Sequence, residues 1–312
     1  MAEPAGQVKL EQRALTLSVI GTLLMAAAGF SFAFLTQSVA ILLDGVFSLI
    51  GFATGLLSMR IARLVRQPDD EKFQFGYSSF EPLLNLIKGI IIALVGLYAA
   101  FDAVRAILAG GRPIIMGYAL VYAVIVASLG FIVSAVQRST AKKIYSPLVE
   151  VDAKNWFMDG LLTVAVFIAF LIVYVLRGTS FNWMVDYADP AVVLLLVILS
   201  ASLPYSIIRT SFKELLLAAP PQDIQEEVKK ILDPELAAID KEDHFVRMVK
   251  VGRFLHINIY ILLEEGHDYE GVRQQDEIRE RIRSLLTDHY QDITVDILFT
   301  CDPQFAGIQS GP

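Results

Sequence analysis

Cysteine is almost absent from this 312-residue chain, which holds one, Cys301. A disulfide framework and a thiolate zinc cluster within one chain are both excluded by that count. Histidine is scarce too, with four residues, His244, His256, His267 and His289. Only 19% of residues are charged, against roughly a quarter in a soluble protein of this length. No basic stripe appears, which disfavours a nucleic-acid partner. There is no Gly-rich phosphate loop, no GxSxG elbow and no His-Glu-x-x-His helix, so nothing points to an enzyme. The N-terminal stretch MAEPAGQVKLEQR is polar and carries no early cleavage motif. No removable signal peptide is expected, and the first span acts as the insertion signal.

What the chain has is apolar sequence. Hydrophobic residues make up 55% of it, and the mean hydropathy is +0.55. The apolar residues fall in blocks of about 20, the length that crosses a hydrocarbon core as helix. This is the pattern of an integral membrane protein. Six spans are expected, at 14–35, 38–59, 83–104, 115–136, 147–176 and 189–208. Pro147 suits the first turn of the fifth, where a missing N–H costs nothing. Arg60, Arg63, Arg66 and Lys72 follow the second span, and Arg138, Lys142 and Lys143 follow the fourth. The Thr36-Gln37-Ser38 link has no charge, so the positive-inside rule puts both termini in the cytoplasm.

Charge divides the chain in two. Residues 1–207 carry 14 Lys/Arg against 13 Asp/Glu, and residues 208–312 carry 12 against 20. Residues 1–208 are expected to form the transmembrane domain and 209–312 a water-soluble cytoplasmic one. In the latter, Asp223–Leu232 patterns as an amphipathic helix after Pro220-Pro221. His244–Val251 and Arg253–Leu263 alternate as strands around Gly252. Tyr269–Leu286 reads as a charged helix, and Ile293–Phe299 as a third strand. The αββαβ order predicts an α+β, ferredoxin-like sheet with its helices on one face.

Asp44 and Asp159 lie within the second and fifth apolar segments. A carboxylate at the bilayer centre costs about 2.5–3.5 kcal/mol on insertion scales, so it ordinarily faces the bundle interior and serves an ion or proton path. Around these residues run SVAILLDG in the second span, QPDDEKFQFGYSSFEPL entering the third, VDAKNWFMDG in the fifth and Asp189-Pro190 at the start of the sixth. In order and placement these stretches resemble the cation diffusion facilitator (cation efflux) family, and the resemblance covers nearly the whole chain. It implies a six-span divalent-metal/proton antiporter with a cytoplasmic αββαβ domain. Members place an ion at midmembrane between two His/Asp-x-x-x-Asp pairs, because residues i and i+4 share a helix face.

The chain departs from that pattern. The second-span ligand positions fall on Phe47 and Gly51, which cannot ligate through a side chain, and the fifth-span pair on Asn155 and Asp159. A substitute all-oxygen set is Asp44, Ser48, Asn155 and Asp159, which suits Mn²⁺, Mg²⁺ or Fe²⁺ better than zinc. A competing reading leaves Asp44 as a hydrogen-bonded helix-end residue. Asp152, about 10 Å inward of Asp159 along the axis, reads equally as a relay or as a wet helix-end charge. Lys88 reads as a countercharge in the transport cycle or as the ion-pair partner of Glu81, Asp159 or Asp152. The family's loop site falls on Asp70, Phe73 and Tyr77 and looks lost, with Asp69, Asp70 and Glu71 read as a solvated run. In the last domain only His244 and Asp302 match family metal positions.

The expectation is therefore an exporter of a divalent cation (Mn, Fe, Zn or Co undistinguished) by proton antiport. It would be multi-pass in a bacterial inner membrane and homodimeric through the cytoplasmic domain, with no resident cofactor. The alternative is a degenerate homologue that serves as partner or stabilising subunit of an active transporter.

Overall fold

A computed structural model describes residues 4–65, 67, 70–144, 147–180, 182–264, 271–290 and 292–306. Arg66, Asp69, His267 and the expected helix start at Tyr269 lie outside the described residues. The chain forms two compact units, residues 1–59 with 87–206, and residues 60–86 with 207–312.

The apolar blocks become α1 (Pro4–Thr36), α2 (Val39–Leu64), α3 (Phe80–Leu108), α4 (Met116–Ile144) and α5 (Pro147–Leu176), followed by α6 (Ala188–Ser200) and α7 (Ser202–Leu215). Six stretches are long and apolar enough to cross a membrane, and the sixth, Trp183–Leu215, takes in both α6 and α7. Several helices outrun the expected spans. α2 continues through Arg60 and Arg63, since a helix leaving the hydrocarbon still satisfies its own backbone. Pro147 opens α5 as expected.

Within the first unit α4 is the most enclosed helix. It packs along α5, whose buried face runs Val149, Ala153, Trp156, Gly160, Thr163 and Phe170. Small residues allow the close approach. A Cβ on Gly130 would stand 3.3 Å from Gly160 Cα. The tightest crossing joins α1 to α2, where a Cβ on Gly29 would fall 2.4 Å from Gly45 Cα. Without a hydrophobic force between helices in lipid, such backbone contact is a main source of association.

In the second unit β1 (Asp243–Val251), β2 (Phe254–Leu262) and β3 (Ile293–Thr300) form a sheet of order β1-β2-β3. β1 and β2 pair antiparallel through a two-residue turn, while β2 and β3 run parallel. Gly252 takes φ +61° in that turn, which a side chain resists. Leu255, Ile257, Ile259 and Ile261 of β2 bury one face against α8 (Gln222–Ala237) and α9 (Gly271–His289). α9 contributes Ile278, Ile282 and Leu286 at four-residue steps. α8 was expected to stop at Leu232, before Pro234. It runs on to Ala237 because Leu236, 1% exposed, anchors one more turn in the core.

Gly29→Ala should force α1 and α2 apart and destabilise by about 1–3 kcal/mol, the usual overpacking range. Gly55→Ala has nothing within 4 Å of the new methyl and should be near neutral. Thermal unfolding of the two variants in one detergent checks the contrast.

Candidate cation site

Asp44 sits in the second turn of α2, beside the Gly29–Gly45 crossing. Its Oδ2 accepts a 2.5 Å hydrogen bond from the Tyr122 hydroxyl of α4. Tyr122 is 3% exposed, and Phe32 tilts against its ring at 5.5 Å between centroids. The carboxylate is thus anchored by a buried donor, the hydrogen-bonded arrangement that competed with the ligand reading, while Oδ1 accepts none among the described residues.

α2 itself is held at its start. Ser38 Oγ accepts from Ile41 N at 3.2 Å, an N-cap geometry. Across the bundle Asp189, fully buried at the start of α6, accepts from Ser38 Oγ at 2.5 Å and from the N–H groups of Val39 and Ala40 at 3.1 Å. A carboxylate on free helix N–H groups answers both their lost partners and the positive end of the dipole. Arg112 adds countercharge, 3.8 Å from Asp189 and 2.7 Å from Asp102. Sequence reasoning had noted Asp189 only as the opening of the sixth span. The one local signal was an Asp-Pro pair at a helix start.

On α5, Asp152, Asn155 and Asp159 stand at i, i+3 and i+7 and share a face. They lie one residue, about 100°, round the helix from the Ala153–Trp156–Gly160 seam. Asn155 and Asp159 are exposed along this face, and Asp152 is half-buried. Asp159 is within electrostatic reach of both Asp44 and Asp152. The structure therefore relates the two membrane aspartates. It does not tie Ser48 or Asn155 to them, since neither hydrogen-bonds to a carboxylate among the described residues. Phe47 packs against the bundle core, and Gly51 faces Thr22. Among the described residues no three His, Cys, Asp or Glu are grouped to hold a metal ion.

Lys88 stands on α3. It makes no ion pair among the described residues, and Glu81 belongs to Arg253. Glu81 Oε1 accepts from Arg253 Nε at 2.8 Å and from its Nη2, and Oε2 accepts from Arg253 N at 3.1 Å. The guanidinium thus grips one oxygen and the Arg253 backbone N–H the other. Glu214 at the end of α7 accepts from Gly252 N at 3.1 Å, so the β1–β2 turn is gripped from two helices.

Asp70 and Glu71 of the loop run are exposed. Asp70 accepts from Tyr77 Oη at 2.6 Å and from the N–H groups of Phe73 and Lys72. The Tyr77 hydroxyl first, then the Phe73 N–H, holds its carboxyl below the ordinary aspartate range. Tyr77 thus closes this loop onto Asp70 at a position where the resemblance implies a metal ligand. In the last domain His244 and Asp302 lie at the same end of the sheet, on either side of β2. Asp302 accepts from Gln304 N at 2.9 Å. His256 stacks on Phe254, and burial pushes its ring below the usual histidine value.

Six membrane-capable helices with coupled carboxylates among them, followed by a small mixed sheet with helices, make a multi-pass membrane protein suited to moving ions. The model of the cation efflux transmembrane domain matches residues 15–216, and the chain belongs to the cation efflux family. It is 22% identical over 306 residues to the manganese efflux system protein MneP of Bacillus subtilis, covering 95% of this chain and 97% of that one. It is 23% identical over 299 residues to an uncharacterized transporter of Methanocaldococcus jannaschii, covering 92% and 98%. Protein p34 of Rickettsia rickettsii is 23% identical over 246 residues, covering 78% and 77%. Metal-cation transport across a membrane is the activity these matches support.

Asp189→Ala leaves three N–H or O–H donors unanswered and should destabilise by about 3 kcal/mol, as loss of one partner of a buried charged network does. Ser38→Ala removes one cap and should cost about 1 kcal/mol. Thermal melts of the purified variants check the order; equal losses would contradict it.

Proposed function

We propose that the chain is a secondary transporter that exports a divalent cation from the cytoplasm in exchange for protons. The observation that carries this reading is the pair Asp159 and Asp44, carboxylates borne by two of the six membrane-capable helices. Asp159 is the principal ligand and proton acceptor, and Asn155, Asp44 and Ser48 complete an oxygen shell as the helices move. Protons and metal compete for the same carboxylates, which couples the two flows without further machinery. Rocking of one helix group against another about this level gives alternating access.

An all-oxygen donor set favours Mn²⁺ or a similarly hard ion over zinc. The manganese efflux name of the Bacillus subtilis relative agrees with that choice. Both termini are cytoplasmic in this reading, in a bacterial inner membrane. Residues 209–312 form a ferredoxin-like cytoplasmic domain through which two copies pair, without a regulatory metal. Transport needs no resident cofactor and no enzymatic step. A second reading has a specific observation behind it: Phe47 and Gly51 stand where ligands are implied, and no three-residue metal cluster is present among the described residues. On that reading the chain is a non-transporting partner of an active relative.

Proteoliposome flux separates the two. The wild type should carry Mn²⁺ against an imposed pH gradient, in preference to Zn²⁺. Asp159→Ala should slow it by about tenfold or more, since even loss of a residue behind a ligand costs about 10–100-fold in metal affinity. Absence of flux for Mn²⁺, Fe²⁺, Zn²⁺ and Co²⁺ alike would favour the partner reading. Flux indifferent to the substitution would sink the role of Asp159.

A further inference from the structure

A second polar cluster lies between α1, α4 and α5, toward the opposite end of the first unit from Ser38. Gln137 of α4 is fully buried. Its Nε2 donates to Asp152 Oδ2 at 2.9 Å and to Ala14 O at 2.8 Å, which uses both amide hydrogens. Its Oε1 is buried and has no hydrogen-bond partner among the described residues. Turning the amide over does not help. It would set Oε1 against two acceptors, the Asp152 carboxylate and the Ala14 carbonyl. The orphan is therefore an acceptor, and an unanswered buried acceptor ordinarily costs about 1–3 kcal/mol.

The neighbouring side chains are hydrogen-bonded in turn. Trp156 Nε1 donates to Ser18 Oγ at 2.6 Å, and Ser18 in turn hydrogen-bonds Asp152. Trp156 is 4% exposed and wedged beside Gly21, where a Cβ would meet its ring at 2.9 Å. Asp152 and Gln137 are thus fixed by neighbours that are themselves locked. The only formal charge within this set of contacts is the Asp152 carboxylate, with the Gln137 carbonyl oxygen and the Ser18 hydroxyl oxygen near it. Asp152 is half-buried, so the cluster has a way in. It shares the α5 face with Asn155 and Asp159 and couples electrostatically to Asp159.

We propose that Asp152, Gln137 Oε1 and Ser18 form a second station for a hard divalent cation, about 10 Å along α5 from Asp159. The inference rests on the metal-transport reading above and adds a site to it. Carboxylate, amide carbonyl and hydroxyl oxygens are the donors such ions take, with waters completing the shell. Gln137 has two jobs: Nε2 holds Asp152 and ties α4 to α1, and Oε1 ligates. The repulsion between Asp152 and Asp159 makes the two stations communicate, so an ion at one neutralises charge felt at the other.

The test counts Mn²⁺ bound to the purified full chain by the electron paramagnetic resonance signal of the free ion, at physiological salt with excess Mg²⁺ held off. Wild type should bind two Mn²⁺ per chain in the membrane domain, counted above a double variant Asp152→Asn/Asp159→Asn that sets the surface background. Asp159→Asn should lose one and keep the other. Asp152→Asn should lose the station and keep the Asp159 ion. Gln137→Met should weaken the station at least tenfold, and Ser18→Ala, which leaves the Gln137 amide and its hold on Asp152 in place, should weaken it as well. Should Gln137→Met not fold, the Ser18→Ala arm decides. A count of one that Asp159→Asn removes and Ser18→Ala leaves unchanged overturns the station while the transport reading stands. A count of zero overturns both.

Discussion

The grip of Asp189 on the start of α2 is the constraint on which the rest of the membrane unit depends. Two residues separate α1 from α2, and the second of them, the capping Ser38, is buried inside the protein rather than in water. The first N–H groups of α2 therefore have no solvent to turn to. Ser38 answers one from within the helix, and Asp189 answers two more from α6, 150 residues away. Helix N–H groups and Arg112 answer this buried carboxylate. This joint fixes where α2 begins. It thereby sets which residues of α2 face Gly29 and Tyr122, and hence where the Asp44 carboxylate stands.

From that fixed start the bundle alternates two kinds of contact. Glycines bring backbones together, Gly29 on Gly45 and Gly130 on Gly160. Polar side chains sit one residue round from those seams, along Asp152, Asn155 and Asp159 on α5. Among the described residues no basic side chain pairs with Asp44, Asp152 or Asp159. Among the described residues Lys88 pairs with none of them, Arg112 pairs with Asp102 and Asp189, and Arg253 pairs with Glu81. An uncompensated cluster of acceptors in a membrane is costly unless a cation or protons visit it.

Much of the architecture was legible because it rests on local pattern. Blocks of about 20 apolar residues gave the six spans, and the alternation through Leu255, Ile257, Ile259 and Ile261 gave the central strand. The parallel pairing of β2 with β3 was not, since register between distant strands has no local mark. The site was legible in part. Asp159 and Asp44 stood out as charges in apolar sequence. Gln137 did not, because a neutral polar residue in a span carries no signal until its partners, Ala14 and Asp152, are seen. The Glu81–Arg253 fork spans 172 residues and displaced the nearer-in-sequence pairing with Lys88. Asp70 and Tyr77 showed as a lost metal site, and only the folded loop reveals that they now bind each other.

The central claim is that a cation rests at the level of Asp159, opposite Asp44, in a site rebuilt from oxygen donors. Anomalous X-ray diffraction at the manganese edge, on crystals of the full chain soaked in Mn²⁺, tests it most directly. The account predicts a peak within ligand distance, about 2.0–2.6 Å for hard cations, of an Asp159 carboxylate oxygen. Manganese bound only outside the membrane helices, in a protein that still transports it, would contradict the account.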